Sequence, residues 1–402
     1  MYRYSTLIFF VAMVAITQAI PQHTLMNELH ESQIRRIFGV EDLNDAPEYE
    51  IVYPQVLTSE GNYGINTEAI AEDSLNINVE VFGETLHLTV QQDNSLFSPD
   101  FYAEEISGEG EPPVPVQVRL DCLYTGKVTS ESDSIVSLST CSGLTAIIYH
   151  TNGPTFIEPL DADHITGKGR PHIAYKKDER RTFKCGTADS RRQGMETPFH
   201  FSDTVHVNGE KTMELAVFTD AEAYTKKGST STITNGVTAL LNTIRIFFKD
   251  STLGTVLEIK CVSLHIYTTT DPGLTSNLDT SLPKAADDQY ARNVQSDSSA
   301  NHWDNALYLT GHVSPYYLGV AYLNQCNQRK ATSLVVWGGA ETAEVMAHEL
   351  GHNLDMNHDN GGNGCSRSGY IMAAVGLGFT KWSTCSKAYF TNFLASKTCY
   401  ND

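Results

Sequence analysis

The feature that most constrains this chain is a set of three histidines near its C-terminal end. His348 and His352 are four residues apart, and His358 follows six residues later. In a helix, a spacing of four places both imidazoles on one face, one turn apart. A sharp turn after that helix would return His358 to the same point. Three imidazole nitrogens with one open position are the ligand set of a catalytic zinc site.

Glu349 directly follows the first of these histidines. From there it can reach a water at the metal rather than the metal itself, which makes it a candidate general base. The alternative is three ordinary solvated or core histidines. The helical context, the third histidine and a secretory N-terminus together argue against that alternative. His265, His302 and His312 lack ligand-like spacing and are interpreted as ordinary histidines.

The N-terminus predicts the compartment. Arg3 precedes a mostly apolar run from Ser5 to Ile16, and the small residues Thr17 and Ala19 follow. This order is typical of a secretory signal peptide, so we expect residues 1–19 to be removed. The alternative, a membrane anchor, needs a longer apolar run. A secreted protein can hold disulfides among its eight cysteines.

Composition excludes several function classes. The formal net charge is −20 and the pI is about 5.0, which argues against nucleic acid and anionic membranes as partners. Residues 1–210 hold 31 acidic and 14 basic side chains, a net of −17, so most of the acidity lies in the first half. A polar stretch at about 175–209 separates the halves. Its dibasic pairs are candidate processing sites: Lys176-Lys177, Arg180-Arg181 and Arg191-Arg192.

Hydrophobic patterning predicts a β-rich first half and a mixed second half. The strands predicted in the first half are Leu75–Phe82, Glu84–Gln91, Val114–Leu120 and Ser134–Ser139. In the second half, the predicted strands are Met213–Thr219, Val256–Tyr267, Asn305–Thr310, Gly319–Leu323 and Ser333–Trp337. The predicted helices are Ser231–Lys249, Ala340–Asn353 and Ser386–Ala395. Such alternation favours an α/β layer domain with one sheet.

Two segments carry a family resemblance. HELGHNLDMNHD (348–359) and GYIMAA (369–374) resemble the metzincin zinc endopeptidases, and Asp359 after the third histidine points to the reprolysin or adamalysin branch. That branch includes the ADAM proteases and venom metalloproteinases. Residues 211–226, 302–311 and 319–326 resemble its catalytic domain. Residues 49–57, 96–104 and 136–144 resemble its propeptide.

The resemblance implies an architecture. We expect a metzincin catalytic domain of class α/β at 211–402, with a mixed five-stranded sheet and a zinc-binding helix. A β-rich propeptide domain would precede it at 20–192, with a boundary anywhere up to about 210. The chain ends three residues past Cys399. It therefore resembles short secreted venom metalloproteinases, such as those of parasitoid wasps.

The resemblance also implies site roles. Zinc would be held by His348, His352 and His358, with Glu349 as general base and Met372 as the Met-turn beneath the metal. Substrate would pair with the edge strand through Gly319, Val320, Ala321 and Tyr322, and residues 373–379 would line a pocket for the side chain after the cut bond. Asp355 stands where the family usually has glycine, which puts zinc affinity and pH optimum in question.

The cysteines divide between the halves. Cys122 and Cys141 could close a short loop, which leaves Cys185 in FKCGTADS. That segment resembles the family's cysteine switch, in which a thiolate fills the open zinc position of the zymogen; a free structural thiol is the alternative. By resemblance, Cys326 pairs with Cys399 and Cys365 with Cys385, so Cys261 stays buried and free.

A calcium site is a further implication of the resemblance. Its matching positions are Glu214, Asp304, the Cys399 carbonyl, and Asn401 or Asp402. Oxygen ligands suit Ca²⁺, and an ordinary group of surface carboxylates is the alternative.

The predicted function is a secreted, monomeric zinc endopeptidase made as a zymogen, with a role as a venom toxin as one option. Its partners would be protein or peptide substrates and its own propeptide as inhibitor. One alternative is a metzincin-fold binding protein or toxin with little turnover because of Asp355. Another is a structural or interaction protein whose zinc only stabilises the fold; such a site is usually closed by a fourth protein ligand.

Overall fold

A computed structural model describes residues 31–34, 37–38, 42–57, 63–64, 72–108, 110–160, 169–176, 184–188, 211–293, 302–339 and 341–400. Several sequence predictions lie outside these residues. They concern the signal peptide at 1–19, Lys177 of the first dibasic pair, the pairs Arg180-Arg181 and Arg191-Arg192, and the C-terminal Asn401 and Asp402.

The first half builds a ten-stranded antiparallel sheet. Its strand order is β1-β12-β11-β10-β9-β8-β5-β4-β2-β3. The strands of the first half are β1 Tyr49–Val52, β2 Gln55–Leu57, β3 Tyr63–Gly64, β4 Ser74–Val81, β5 Glu84–Gln92, β6 Phe97–Ile106, β7 Val114–Val116, β8 Leu123–Val128, β9 Ile135–Ser139, β10 Thr145–His150, β11 Gly153–Pro159 and β12 His172–Lys176.

The hairpin of β4 and β5 shows how local sequence produces this sheet. Leu75, Ile77 and Val79 are buried while alternate residues of β4 face outward, as period-two patterning requires. The turn between the strands is Phe82-Gly83, with φ of 49° and 79°. Two central residues with positive φ give a type I′ turn, whose twist matches that of a tight hairpin.

In its described residues, the second half contributes five strands and five α-helices. The strands are β13 Lys211–Thr219, β14 Leu257–Tyr267, β15 Asn305–Thr310, β16 Gly319–Ala321 and β17 Thr332–Val336. The helices are α1 Ala221–Lys227, α2 Thr230–Lys249, α3 Leu278–Arg292, α4 Glu341–Asn353 and α5 Thr384–Ser396. None of the helices in the described residues is both long enough and apolar enough to cross a membrane.

The second sheet is larger than expected, because the first half adds to it. Its order is β16-β17-β15-β13-β14-β6-β7. The five strands of the second half form the expected mixed sheet, in which β16 alone of those five runs antiparallel to its neighbour. β6 then pairs in parallel with β14, and β7 pairs with β6. The α/β class with a β-rich first domain is confirmed, and the two halves share one sheet.

Some elements differ from the pattern-based expectations. The strand expected at Val114–Leu120 ends at Val116, and the edge strand expected at Gly319–Leu323 ends at Ala321. Periodicity also missed α1 and α3. Helix α3 has few apolar residues and contains Pro283, so it carries a weak amphipathic signal.

Helix α2 joins the two halves. Asn242 in α2 donates a side-chain hydrogen bond to the carbonyl of Tyr124 at 3.0 Å, and Ser137 donates to the carbonyl of Ala239 at 3.2 Å. The buried Arg245 forms an ion pair with Asp93. Apolar side chains of α2 lie in one core with apolar side chains of the first half. The first half is therefore packed as an integral layer against the second.

His172 makes the stability of the first half sensitive to pH. Its side chain is fully buried at the start of β12. Its Nε2 accepts the Leu144 N–H at 3.1 Å, and its Nδ1–H donates to the Arg170 carbonyl at 2.9 Å. Burial lowers the pKa of His172 from 6.5 to about 3. The folded state thus favours the neutral ring. The stability that this ring contributes is fully present above pH 6.5 and is lost as pH falls toward 3.

We predict that His172→Gln reduces the pH dependence of unfolding. Between pH 6.5 and 5 the unmodified chain should lose about 2 kcal/mol of stability through this ring. Urea denaturation of the full chain at both pH values measures the loss. His87→Gln, at an exposed position of β5, is the matched control. Comparing the two variants cancels the contributions of other groups to the pH dependence of unfolding. An equal pH dependence in all three proteins would contradict the assignment.

Candidate active site

The three motif histidines lie at the end of α4 and in the turn that follows it. His348 and His352 are fully buried in α4, and His358 is 7% exposed. The helix ends at Asn353, and Asp355 has φ of +67°. The Asp355 N–H donates to the His352 carbonyl at 2.9 Å, and the Met356 N–H to the Gly351 carbonyl at 3.0 Å. Asp355 thus adopts the left-handed conformation that glycine would supply at lower cost.

The imidazole nitrogens converge on one point. Nε2 of His352 lies 3.2 Å from Nε2 of His348 and 3.3 Å from Nε2 of His358. Two nitrogens that each lie at about 2.0–2.1 Å from a tetrahedral zinc are about 3.3–3.4 Å apart. Both distances therefore fit a shared zinc ion, and all three ligand nitrogens lie within 4.8 Å of one another.

Backbone carbonyls set the orientation of two rings. His348 donates its Nδ1–H to the Ile371 carbonyl at 2.7 Å, and His352 donates its Nδ1–H to the Met356 carbonyl at 2.7 Å. These bonds leave both Nε2 lone pairs directed at the shared point. Burial, together with the neighbouring His348 and His358, lowers the pKa of His352 well below its usual range. The ring is therefore neutral, as a metal ligand must be.

Glu349 lies beside the ligands and faces the edge strand. Its side chain is fully buried, and this burial raises the pKa of the carboxyl to about 8. A Cβ on Gly319 would come within 2.5 Å of Glu349 Oε1. Glycine at the start of β16 therefore leaves the space in which the carboxylate sits.

Met372 packs beneath α4, the helix that carries His348 and His352. It is fully buried, and a Cβ on Gly351 would lie 2.6 Å from its sulfur. Gly351 therefore allows the methionine to approach α4 between the two helical histidines. The role of Met372 as a floor beneath a metal stays a prediction.

A segment of the first half lies along β16. The Leu318 N–H donates to the Lys184 carbonyl at 3.0 Å, and the Gly186 N–H to the Gly319 carbonyl at 2.9 Å. The Ala321 N–H donates to Thr187 Oγ1 at 2.8 Å. Residues 184–187 thus cover the edge where substrate pairing was predicted at Gly319, Val320 and Ala321, with Tyr322 directly after the strand.

Cys185 brings a thiol to the histidine cluster. Its Sγ lies 3.4 Å from His352 Nε2, and the four ligand atoms all lie within 4.8 Å of one another. A sulfur at about 2.3 Å from zinc and a nitrogen at about 2.0–2.1 Å are about 3.5 Å apart, so the thiol fits a fourth position. Burial raises the pKa of Cys185, and the nearby Glu349 charge adds to this. A divalent cation would counter both effects and stabilise the thiolate.

Thr187 is a site residue that the sequence analysis missed. Its Oγ1 lies 3.2 Å from Glu349 Oε2 and 3.2 Å from the Ala321 carbonyl. Its backbone N–H donates to Cys185 Sγ at 3.2 Å. A threonine two residues after a cysteine has no distinctive pattern, and only the fold brings it to Glu349.

Glu344 and Ser383 were also missed. Glu344 lies one turn before His348 and accepts hydrogen bonds from Gly378 and Phe379. Ser383 caps the start of α5 and donates to Asp359 Oδ1 at 2.6 Å. Asp359, which directly follows the third histidine, is thus tied to α5. Burial raises the pKa of Asp359 to about 6.

The structure contains three disulfides in the described residues. They join Cys122 to Cys141, Cys326 to Cys399 and Cys365 to Cys385. Cys261 is free and fully buried in β14, and Cys185 is the other free cysteine.

Two of the residues predicted for calcium lie together. The Asp304 N–H donates to the Glu214 carbonyl at 2.9 Å, and the Glu214 N–H donates to Asp304 Oδ2 at 2.9 Å. The Thr212 N–H donates to the Tyr400 carbonyl at 3.4 Å, so the residue after Cys399 is close to the same strand. Calcium binding here stays a prediction.

Comparison with known proteins agrees with this geometry. Residues 211–400 match the reprolysin (M12B) family of zinc metalloproteases, and residues 50–129 match the reprolysin family propeptide. The human protein "A disintegrin and metalloproteinase with thrombospondin motifs 6" is 28% identical, over 81% of this chain and 34% of its own length. A "Zinc metalloproteinase-disintegrin-like" protein from Cerberus rynchops is 26% identical, over 86% of this chain and 58% of its own.

The chain therefore spans about a third to three fifths of the length of these relatives. Both family segments, the propeptide and the protease, are present in the expected order, and the histidine cluster lies within the second. The chain belongs to the reprolysin family of zinc metalloproteases.

Proposed function

We propose that this chain is the zymogen of a secreted zinc endopeptidase that hydrolyses peptide bonds in proteins. The observation that carries the proposal is the convergence of three imidazole nitrogens beside a buried glutamate, next to the edge strand β16. His348, His352 and His358 would hold the ion. Zinc bound there supplies Lewis-acid activation of a water and of the scissile carbonyl.

In this mechanism Glu349 moves the proton. Its carboxylate would accept a proton from the attacking water and then deliver it to the leaving amine, as one general base and acid. The Nδ1–H bonds of His348 and His352 hold the rings in place during the reaction. Removal of Thr187 from Glu349 would be needed before the carboxylate can act.

Substrate would bind as an extended strand along β16. The 184–187 segment supports this, because it pairs its backbone with the same edge. Strand addition supplies main-chain hydrogen bonds regardless of sequence, and side-chain pockets supply the selectivity. Residues 373–379, which include the alanines after Met372, would line the pocket after the cut bond.

The 184–187 segment would also keep the zymogen latent. Cys185 would occupy the fourth ligand position, and Thr187 would cap the general base and the Ala321 amide. Cleavage in the linker between the two domains would release the segment. The signal peptide at 1–19, the propeptide at 20–192, calcium, the monomeric state and a venom role stay predictions.

The first prediction tests the chemistry. The full chain, cleaved in its linker, should degrade a denatured protein, lose this activity with a zinc chelator and regain it with added zinc. Glu349→Gln should lower kcat by about 10²–10⁴-fold, because the proton acceptor is lost. Glu341→Gln in the first turn of the same helix is the control. A folded, zinc-loaded protein without activity would contradict the proposal and favour the binding role.

The second prediction concerns latency. Thr187→Val removes a hydroxyl that bonds the Ala321 amide and contacts Glu349, so it should weaken inhibition by the propeptide about tenfold. The inhibition constant of the cleaved propeptide toward the protease measures this. Thr187→Ser retains the hydroxyl and should behave like the unmodified segment, while Cys185→Ala should also release activity. Equal inhibition by the Thr187→Val and the unmodified propeptides would contradict the proposed role of the Thr187 hydroxyl.

The third prediction concerns Gly319. A Cβ at this position would collide with the Glu349 carboxylate, so Gly319→Ala should displace it and lower kcat/KM at least about tenfold. The control combines Gly319→Ala with Glu349→Gln: if the alanine acts through the carboxylate, it should lower the residual kcat/KM little further. Unchanged kcat/KM in Gly319→Ala would mean that Glu349 tolerates the displacement, against the role assigned to it.

A further inference from the structure

The loop from Ala373 to Phe379 is built from residues that do little to fix its own shape. Gly376 and Gly378 both have φ of +99°, a region open to glycine and costly for other residues. Four of its seven residues are alanine or glycine, namely Ala373, Ala374, Gly376 and Gly378. A loop of this composition loses much backbone entropy when ordered. It therefore needs ties from elsewhere to hold one conformation.

In the zymogen, one tie comes from the propeptide. Lys184 forms an isolated antiparallel bridge with Val375. Residues Gly378 and Thr380 also line a cavity with propeptide residues around Glu131 and His150. These contacts end when the propeptide leaves. The protease must then hold the loop with contacts of its own.

Glu344 supplies such a contact. Its side chain is only 2% exposed. Oε2 accepts the Gly378 N–H at 2.5 Å, and Oε1 accepts the Phe379 N–H at 3.0 Å. A carboxylate that accepts two backbone N–H groups forms strong, charge-assisted bonds. The two bonds also offset part of the cost of burying its charge.

The position of Glu344 couples the loop to the metal site. Glu344 and His348 are four residues apart in α4, so they lie on the same face of the helix. The loop begins directly after Met372, which packs against Gly351 of that helix. The loop is therefore fixed at its start by Met372 and near its end by Glu344, both relative to the helix that carries two of the histidines.

We propose that Glu344 is a positioning residue that sets selectivity for the side chain following the cut bond. It does so by holding residues 377–379 at a fixed distance from the zinc ligands, which defines the depth of the pocket. This inference rests on the proposed function and deepens it. A purely structural role for Glu344 would lower the stability or the rate toward all substrates alike. A positioning role changes the ranking of substrates.

The test uses the full chain, cleaved in its linker, with peptides that differ only in the residue after the cut bond. The series runs from alanine through leucine to phenylalanine. Glu344→Gln keeps the side-chain volume but directs an amide donor at one of the two N–H groups. We expect the ratio of kcat/KM for leucine over phenylalanine peptides to change about tenfold. Hydrogen exchange of residues 373–380 should become faster, with zinc content unchanged.

Glu341→Gln is the matched control. It removes the same charge one turn earlier in α4, where Glu341 accepts from the Gly339 N–H at 3.3 Å. Its substrate ranking and its loop exchange should equal those of the unmodified protein. If Glu344→Gln does not fold, Gly378→Ala disturbs the same contact from the loop, because alanine is strained at φ of +99°. That variant should shift the ranking as well.

The outcomes separate the two proposals. An unchanged ranking in Glu344→Gln or in its Gly378→Ala substitute, with activity lowered equally for every peptide, would overturn the positioning role. It would leave the peptidase function intact. An unmodified protease without chelator-sensitive activity would overturn the proposed function, and the inference with it. In that case loop exchange would still report whether Glu344 holds the loop.

Discussion

The rest of the structure depends on the convergence of three imidazole nitrogens, 3.2 and 3.3 Å apart, on one point. Two of them share a helix face, but the third requires a reversal of the chain immediately after the helix. Asp355 makes that reversal with φ of +67°, and the Ile371 carbonyl orients His348 from a different segment. The contacts of this one small site therefore fix the helix, the turn and the Met372 segment relative to one another.

The same site explains why the two halves are built as one body. The first half adds β6 and β7 to the sheet of the second half, and residues 184–187 follow the opposite edge of that sheet at β16. An edge strand exposes unused N–H and C=O groups. Residues 184–187 satisfy part of those at β16, and they place the Cys185 thiol beside the three histidines and the Thr187 hydroxyl beside Glu349. Latency and substrate binding would thus be two uses of one strand edge.

Prediction from sequence succeeded where local patterns carry the information. The four-residue spacing of His348 and His352, the alternation in β4 and the long apolar run of β14 each reflect the period of the element they form. It failed where the partner is distant or the pattern is weak. Helix α3 has a small apolar stripe interrupted by Pro283. Thr187 bonds partners that lie 134 and 162 positions further along the chain, and Glu344 bonds partners that lie 34 and 35 positions away. No local spacing reveals such contacts.

The sequence by itself determined the donor set, the helix that presents two donors, the glutamate beside them and the β-rich and mixed characters of the two halves. These follow from side-chain chemistry and from the periods of helix and strand, which act over a few residues. The tertiary structure alone decided that the propeptide joins the protease sheet, that Thr187 caps Glu349 and that Glu344 holds the loop after Met372. Hydrogen bonds between residues far apart in the sequence form only where packing of the chain brings their atoms together. No short stretch of sequence contains that information.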